Sequence, residues 1–96
     1  MEDTRIVPGE ISKLPDSPGV YRYFNDENKL IYVGKAKSLR KRVGSYFNKS
    51  VGTNRKTLKL VSEIRQIEVT LVNNEFDALL LENSLIKQNQ PKYNIL

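Results

Sequence analysis

Apolar positions along the chain follow two periods. Val20 to Phe24 is a short aromatic and β-branched run, Leu30 to Val33 is a second, and Asn25-Asp26-Glu27-Asn28 between them is a polar turn. The pair reads as a β-hairpin, and the alternation of Ile67 to Val72 reads as a third strand. Elsewhere the period is helical. Leu39, Val43, Tyr46 and Phe47 form one stripe behind Ser38, a good N-cap, with Gly44 as a weak point. Leu58 and Val61 mark the inward side of a second helix, and a long helix runs from about Glu75 to Gln88. Pro91 ends it, after which Pro-Lys-Tyr-Asn-Ile-Leu continues as extended chain. Asn48 to Asn54, with Gly52, is a loop. Residues 1–17 are a lead-in broken by Pro8-Gly9, Pro15 and Asp16, with one helical turn from Glu10 to Leu14. The order ββααβα predicts an α+β fold: a small three-stranded, mainly antiparallel sheet flanked by helices.

Ninety-six residues make a single domain spanning 1–96. No apolar run approaches the ~18 residues of a membrane span, and no signal-peptide pattern opens the chain, so no membrane is expected. Cysteine and histidine are both absent, which excludes disulfides, thiol chemistry, zinc held by Cys or His, and His-based triads. Carboxylates, Tyr, Lys, Arg, amides and a hard metal remain. A cysteine-free chain fits a reducing cytoplasm. The apolar end at Ile95-Leu96, without a polar tail, suggests an N-terminal fragment of a longer protein.

Charge is distributed unevenly. Residues 35–65 carry ten basic side chains against the single acid Glu63, whereas the rest of the chain is net acidic. Such a block is either a solvated face or the footprint of a polyanion. Lys37, Arg40, Lys41, Arg55, Lys56 and Lys59 are its candidate phosphate contacts.

A two-residue hairpin loop at Asp26-Glu27 would set Tyr21 opposite Tyr32, on one sheet face. The two rings either pack across the strands or present a pair of hydroxyls. Gly34 follows, where a glycine permits close approach to the backbone. Lys35 next to it could favour a phenolate and lower a Tyr pKa, or be one more solvated lysine. On the helix after Ser38, Arg42 falls at the edge of the apolar stripe, where its fork can be aimed into a cleft to hold a phosphate.

Glu82 stands out because its helical neighbours Ala78, Leu79, Leu85 and Ile86 are all apolar. A carboxylate embedded there needs either a cationic side chain or a divalent metal completed by water and phosphate oxygen. Asn94, just past Pro91, could bond a phosphate, orient Tyr93 or stabilise a turn.

Gly19-Val20-Tyr21, ten intervening residues, and Tyr32-Val33-Gly34 resemble the paired motif that names the GIY-YIG nuclease family, with Val20 and Val33 in place of isoleucines. Pro18 to Tyr21, Gly34 to Arg42, Leu81 to Lys87 and Pro91 to Asn94 are similar to its UvrC-type branch, over about residues 12–96. The resemblance implies a metal-dependent endonuclease domain making the incision on the 3′ side of a DNA lesion. Arg42, Glu82 and Asn94 fall where the family places its arginine, metal-binding glutamate and asparagine. It also implies one Mg2+ (or Mn2+) on Glu82, a catalytic set of Tyr21, Tyr32, Lys35, Arg42 and Asn94, and Gly19 and Gly34 as structural glycines. Tyr32, with Lys35 nearby, is the expected general base, although other branches use the first tyrosine or the lysine. The implied partners are damaged double-stranded DNA and the UvrB–DNA pre-incision complex. A stand-alone structure-specific or mobile-element GIY-YIG nuclease, and a DNA-binding module that does not cut, are the alternatives.

Overall fold

The structure, a computed structural model, describes residues 3–48 and 54–95. Four antiparallel strands form one sheet in the order β1-β4-β2-β3: β1 Asp3–Ile6, β2 Gly19–Phe24, β3 Leu30–Ala36 and β4 Gln66–Leu71. β2 lies inside the sheet and is almost wholly buried because its Val, Tyr and Arg side chains are covered on both faces. Helices α1 Leu39–Phe47 and α2 Arg55–Glu63 contribute Leu39, Val43 and Leu60 to the core containing Tyr21, Tyr23, Ile67 and Val69. Helix α3, Glu75–Asn89, packs with Val20, Val33 and Val72 in a second core through Ala78, Leu81 and Leu85. No helix among the described residues is long and apolar enough to cross a membrane.

The sheet has four strands where the pattern predicts three. β1 escapes periodicity because of its four residues only Ile6 is buried. Its attachment to β4 is polar: Asp3 accepts a hydrogen bond from Thr70 and lies 3.6 Å from Arg22, and Arg5 pairs with Glu68 at 3.5 Å. The helical turn of the lead-in is a 3-10 helix over Pro8–Lys13. The helix caps are those the sequence offers. The Ser38 hydroxyl accepts from the Lys41 N–H, Asn54 accepts from Lys56 and Thr57, and Asn74 accepts from Asp77.

Two helical expectations are corrected. In α2 the inward residue is Leu60, followed by Ile64, while Leu58 is 50% exposed. Val61 packs against the core as expected, but only partly buried, so the expectation fails at Leu58 alone, whose place Leu60 and Ile64 take. Beyond Pro91 the chain is not extended: Lys92–Ile95 forms a short helix, α4, whose Asn94 and Ile95 N–H groups bond the Pro91 carbonyl. Proline stops α3, where Gln90 already adopts a left-handed φ of 44°, and its fixed φ suits the opening of the next turn. In the loop expected at Asn48–Asn54, residues 49–53, with Gly52, lie outside the described residues.

The hairpin register also differs. Tyr21 stands opposite Gly34 and Tyr23 opposite Tyr32, with a register shift between Tyr23 and Phe24. The connection is the five residues 25–29, in which the Asn25 side chain accepts from the N–H groups of Glu27 and Lys29. An odd loop alone would put Tyr32 on the other face, and so would a bulge alone; together they restore the parity. Tyr21 and Tyr32 thus share a face as expected, offset by two residues along the ladder.

Candidate active site

The offset pairing explains Gly34. A Cβ at this position would fall inside the hydroxyl end of the Tyr21 ring, so the glycine approaches the tyrosine and not a ligand. Tyr21 is 1% exposed and cannot swing away. Gly34→Ala should therefore destabilise the chain by about 1–3 kcal/mol, the usual cost of overpacking. A thermal midpoint within 1 °C of the parent, on the scale of ~4–8 °C per kcal/mol for a small domain, would show that the ring yields freely. Gly19 has a similar role: its Cβ would collide with the Thr70 carbonyl and the Leu39 side chain.

Around Tyr21 three more tyrosine rings gather. Tyr21, Tyr23, Tyr32 and Tyr46 lie with every pair of centroids between 5.2 and 6.3 Å. The Tyr21 and Tyr46 hydroxyls are 2.8 Å apart, and Arg42 Nε donates to the Tyr21 hydroxyl at 3.4 Å. The Arg42 guanidinium also stands 5.4 Å over the Tyr46 ring. Tyr46 was legible only as a packing residue. The available signal was its position four residues after Arg42, which brings both to one side of α1. Tyr23 is fully buried, with no hydrogen-bond partner for its hydroxyl among the described residues.

Burial sets the phenol chemistry. Desolvation, with the Tyr46 hydroxyl next in weight, pushes Tyr32 up to about 12. Burial likewise raises Tyr46 to about 12, and Tyr21 is raised above the ordinary phenol value. This reverses the expectation of a phenol lowered by Lys35. The cation beside the rings is Arg42, whose effect is smaller than that of burial. Lys35 is paired with Val20 in the ladder, on the strand face opposite Gly34, and lines a cleft instead.

That cleft, of about 440 Å3, lies between the β3–α1 junction and the start of α3, with Lys35, Lys37, Lys41 and Arg42 on its walls. Lys37 pairs with Glu75 at 3.4 Å, and Arg40 and Lys41 share Asp16 at 3.7 and 3.9 Å. All are exposed pairs that a phosphate can compete for. Arg55, Lys56 and Lys59 belong to a separate surface, on the outward side of α2.

Glu82 is half-buried at the edge of the α3 stripe, since Leu79 is exposed and the buried side of the helix is centred on Ala78. Its charge is felt at Tyr32. No side chain among the described residues forms an ion pair or hydrogen bond with it, and no group of three or more Asp and Glu gathers there. The salt-bridge alternative therefore lacks a partner. One carboxylate facing water suits Mg2+, which keeps several waters and fills its shell with substrate phosphate. Asn94 turns to neither phosphate nor Tyr93: its Oδ1 accepts from Val33 N–H at 2.8 Å and its Nδ2 donates to Val33 C=O at 2.9 Å. Arg22, 5% exposed, was not foreseen as special. It serves the other side of the sheet, bonded to Glu68 and Thr70.

Comparison with known proteins points to one family. The UvrC-like GIY-YIG domain profile matches residues 17–95. The chain is 58% identical over 95 residues to the UvrABC system protein C of Cytophaga hutchinsonii, covering 99% of this chain and 15% of that protein. The corresponding protein of Bacteroides fragilis is 50% identical over 96 residues, covering 100% of the chain and 16% of its own length. The chain thus spans about a sixth of these relatives. Among solved structures, the GIY-YIG N-terminal endonuclease domain of UvrC from Thermotoga maritima, bound to its catalytic divalent cation, magnesium, aligns with a TM-score of 0.79 at 39% identity, over 88% of this chain and 91% of that one. The same domain was also solved as three single tyrosine-to-phenylalanine variants. The profile covers most of the chain, relatives match it at 50% identity or more along nearly its whole length, and the fold aligns with the solved domain, so the chain belongs to the UvrC-like GIY-YIG domain family.

Proposed function

We propose that the chain is a divalent-metal-dependent DNA endonuclease domain that hydrolyses one phosphodiester bond, making the 3′-side incision of nucleotide excision repair in a longer cytoplasmic protein. The observation that carries this reading is Glu82, a half-buried carboxylate without a cationic partner among the described residues, close enough to influence the Tyr32 phenol. Glu82 would hold the Mg2+ or Mn2+ ion, which when bound supplies positive charge against the charge developing on phosphoryl and leaving oxygens.

The remaining roles follow from the chain's own groups. Arg42, tied to Tyr21 through Nε, keeps the rest of its guanidinium for the scissile phosphate. Tyr21 is too buried to touch substrate, so it acts by holding Arg42 and Tyr46 in place. Tyr32 is half-buried, its ring centroid 6.3 Å from that of Tyr46. Once ionised, its phenolate oxygen can take a proton from the attacking water and afterwards release it to solvent. Lys35, Lys37 and Lys41 in the cleft hold the strand beside the cut, and Asn94 keeps β3 in position. The expected substrate setting is damaged duplex DNA in the UvrB–DNA pre-incision complex.

Nicking of supercoiled plasmid with and without Mg2+ or Mn2+ tests the reading. Metal-dependent nicking is expected; DNA binding without nicking in either metal would leave only the binding module. Affinity supplies a second prediction. The basic surface should bind DNA without sequence preference and lose at least ~10-fold in affinity between 50 and 200 mM salt, as a handful of phosphate contacts would. An affinity unchanged over that range would refute the electrostatic part of the proposal.

A further inference from the structure

β3 is an outer strand, yet it carries Tyr32 and Gly34, whose positions decide how the tyrosine cluster fits. The edge is covered at one point. Asn94 both accepts from and donates to the backbone of Val33, the residue between them, and so reproduces the two bonds of a neighbouring strand. Asn94 sits on α4, a helix of four residues, too short to hold itself together. Its anchor is Tyr93, 2% exposed, whose hydroxyl donates to Glu63 at the end of α2. Lys92 lies 3.8 Å from the same carboxylate. Glu63 is the only acid in the basic block of residues 35–65, and it is used here, away from the cleft.

We infer that Glu63 is a positioning residue for phosphodiester cleavage: through Tyr93 it seats α4, and through Asn94 it holds the β3 edge on which Tyr32 stands. The inference takes the reaction from the proposed function, while the hydrogen-bonded path from Glu63 to Val33 stands without it. The competing role for Glu63 is countercharge, offsetting the positive charge of α2. The two separate because Gln keeps a hydrogen-bond acceptor for Tyr93 and loses the charge.

The test combines amide hydrogen exchange of the 96-residue chain with single-turnover nicking by Glu63→Ala, Glu63→Gln and Tyr93→Phe. In Glu63→Ala, exchange of Val33 N–H should accelerate about tenfold or more while the amides of β2 change less than about twofold, a local opening. The cleavage step should slow about tenfold with KM for DNA within about twofold, the effect of one lost positioning bond. Glu63→Gln should restore both readouts. Tyr93→Phe should match Glu63→Ala, and the double variant should be no worse than either single change. Unchanged Val33 exchange in Glu63→Ala would overturn the inference. So would a Glu63→Gln as impaired as Glu63→Ala, or acceleration of all amides together. Tighter DNA binding by Ala and Gln alike, with cleavage intact, would establish the countercharge role in its place. A parent chain that failed to nick would refute the proposed function, and Val33 exchange would still decide the latch.

Discussion

Glu82→Gln is expected to reduce nicking by at least ~10³-fold, about 4 kcal/mol of lost barrier reduction, while leaving the fold intact. Gln preserves shape and hydrogen bonding but removes the charge a hard cation requires. The fold should survive because no cation among the described residues depends on this carboxylate, so none is stranded by its loss. In metal-free buffer the melting temperature should hold or rise, since a half-buried charge loses its desolvation cost. DNA affinity should persist, as the cleft lysines and α2 are untouched. A variant several kcal/mol less stable, whose folded fraction still nicks DNA, would sink the assignment of Glu82 as the metal ligand.

Tyr32→Phe should lower cleavage ~10²–10⁴-fold, the range for loss of a positioned general base, with little change in melting temperature. The pH profile identifies the group. With its phenol pushed up to about 12, the reactive form of Tyr32 grows tenfold per pH unit across the neutral range. The parent's log rate should therefore climb with near-unit slope between about pH 7 and 9, and Tyr32→Phe should flatten it. Tyr21→Phe should cost less, about tenfold, and keep the slope, because Tyr21 is buried beneath Arg42 and Tyr46. If Tyr32→Phe cuts at the parent rate while Tyr21→Phe does not, the base is Tyr21. Stability follows the same groups. Tyr32 and Tyr46 both have folded values raised to about 12 from an ordinary 10, so their contribution is complete below pH 10 and is lost as pH rises toward 12.

What could be read from the chain divides along physical lines. Strands β2 and β3, helices α1 and α3, Arg42 at the stripe edge and the solitary Glu82 were legible because each follows from periodicity within one element. β1 was not, because a mostly polar edge strand is held by ladder bonds, an ion pair and a side-chain hydrogen bond to residues of β4 far along the chain. The hairpin register was hidden by two compensating irregularities, neither with a glycine or proline to announce it. The use of Asn94 on Val33, the coupling of Tyr46 to Tyr21 and the direction of the phenol shifts all depend on tertiary neighbours. Local spacing carries no information about them.

The chain has five tyrosines and no tryptophan. Four of the five cluster in the site, and the fifth, Tyr93, joins α4 to α2. Rings this close couple electronically and exchange excitation, so the near-ultraviolet circular dichroism and the intrinsic fluorescence come overwhelmingly from this cluster, the site proposed for catalysis. An ion or a DNA phosphate arriving at the site therefore registers in the molecule's own absorption bands, and the unmodified polypeptide serves as its own optical probe.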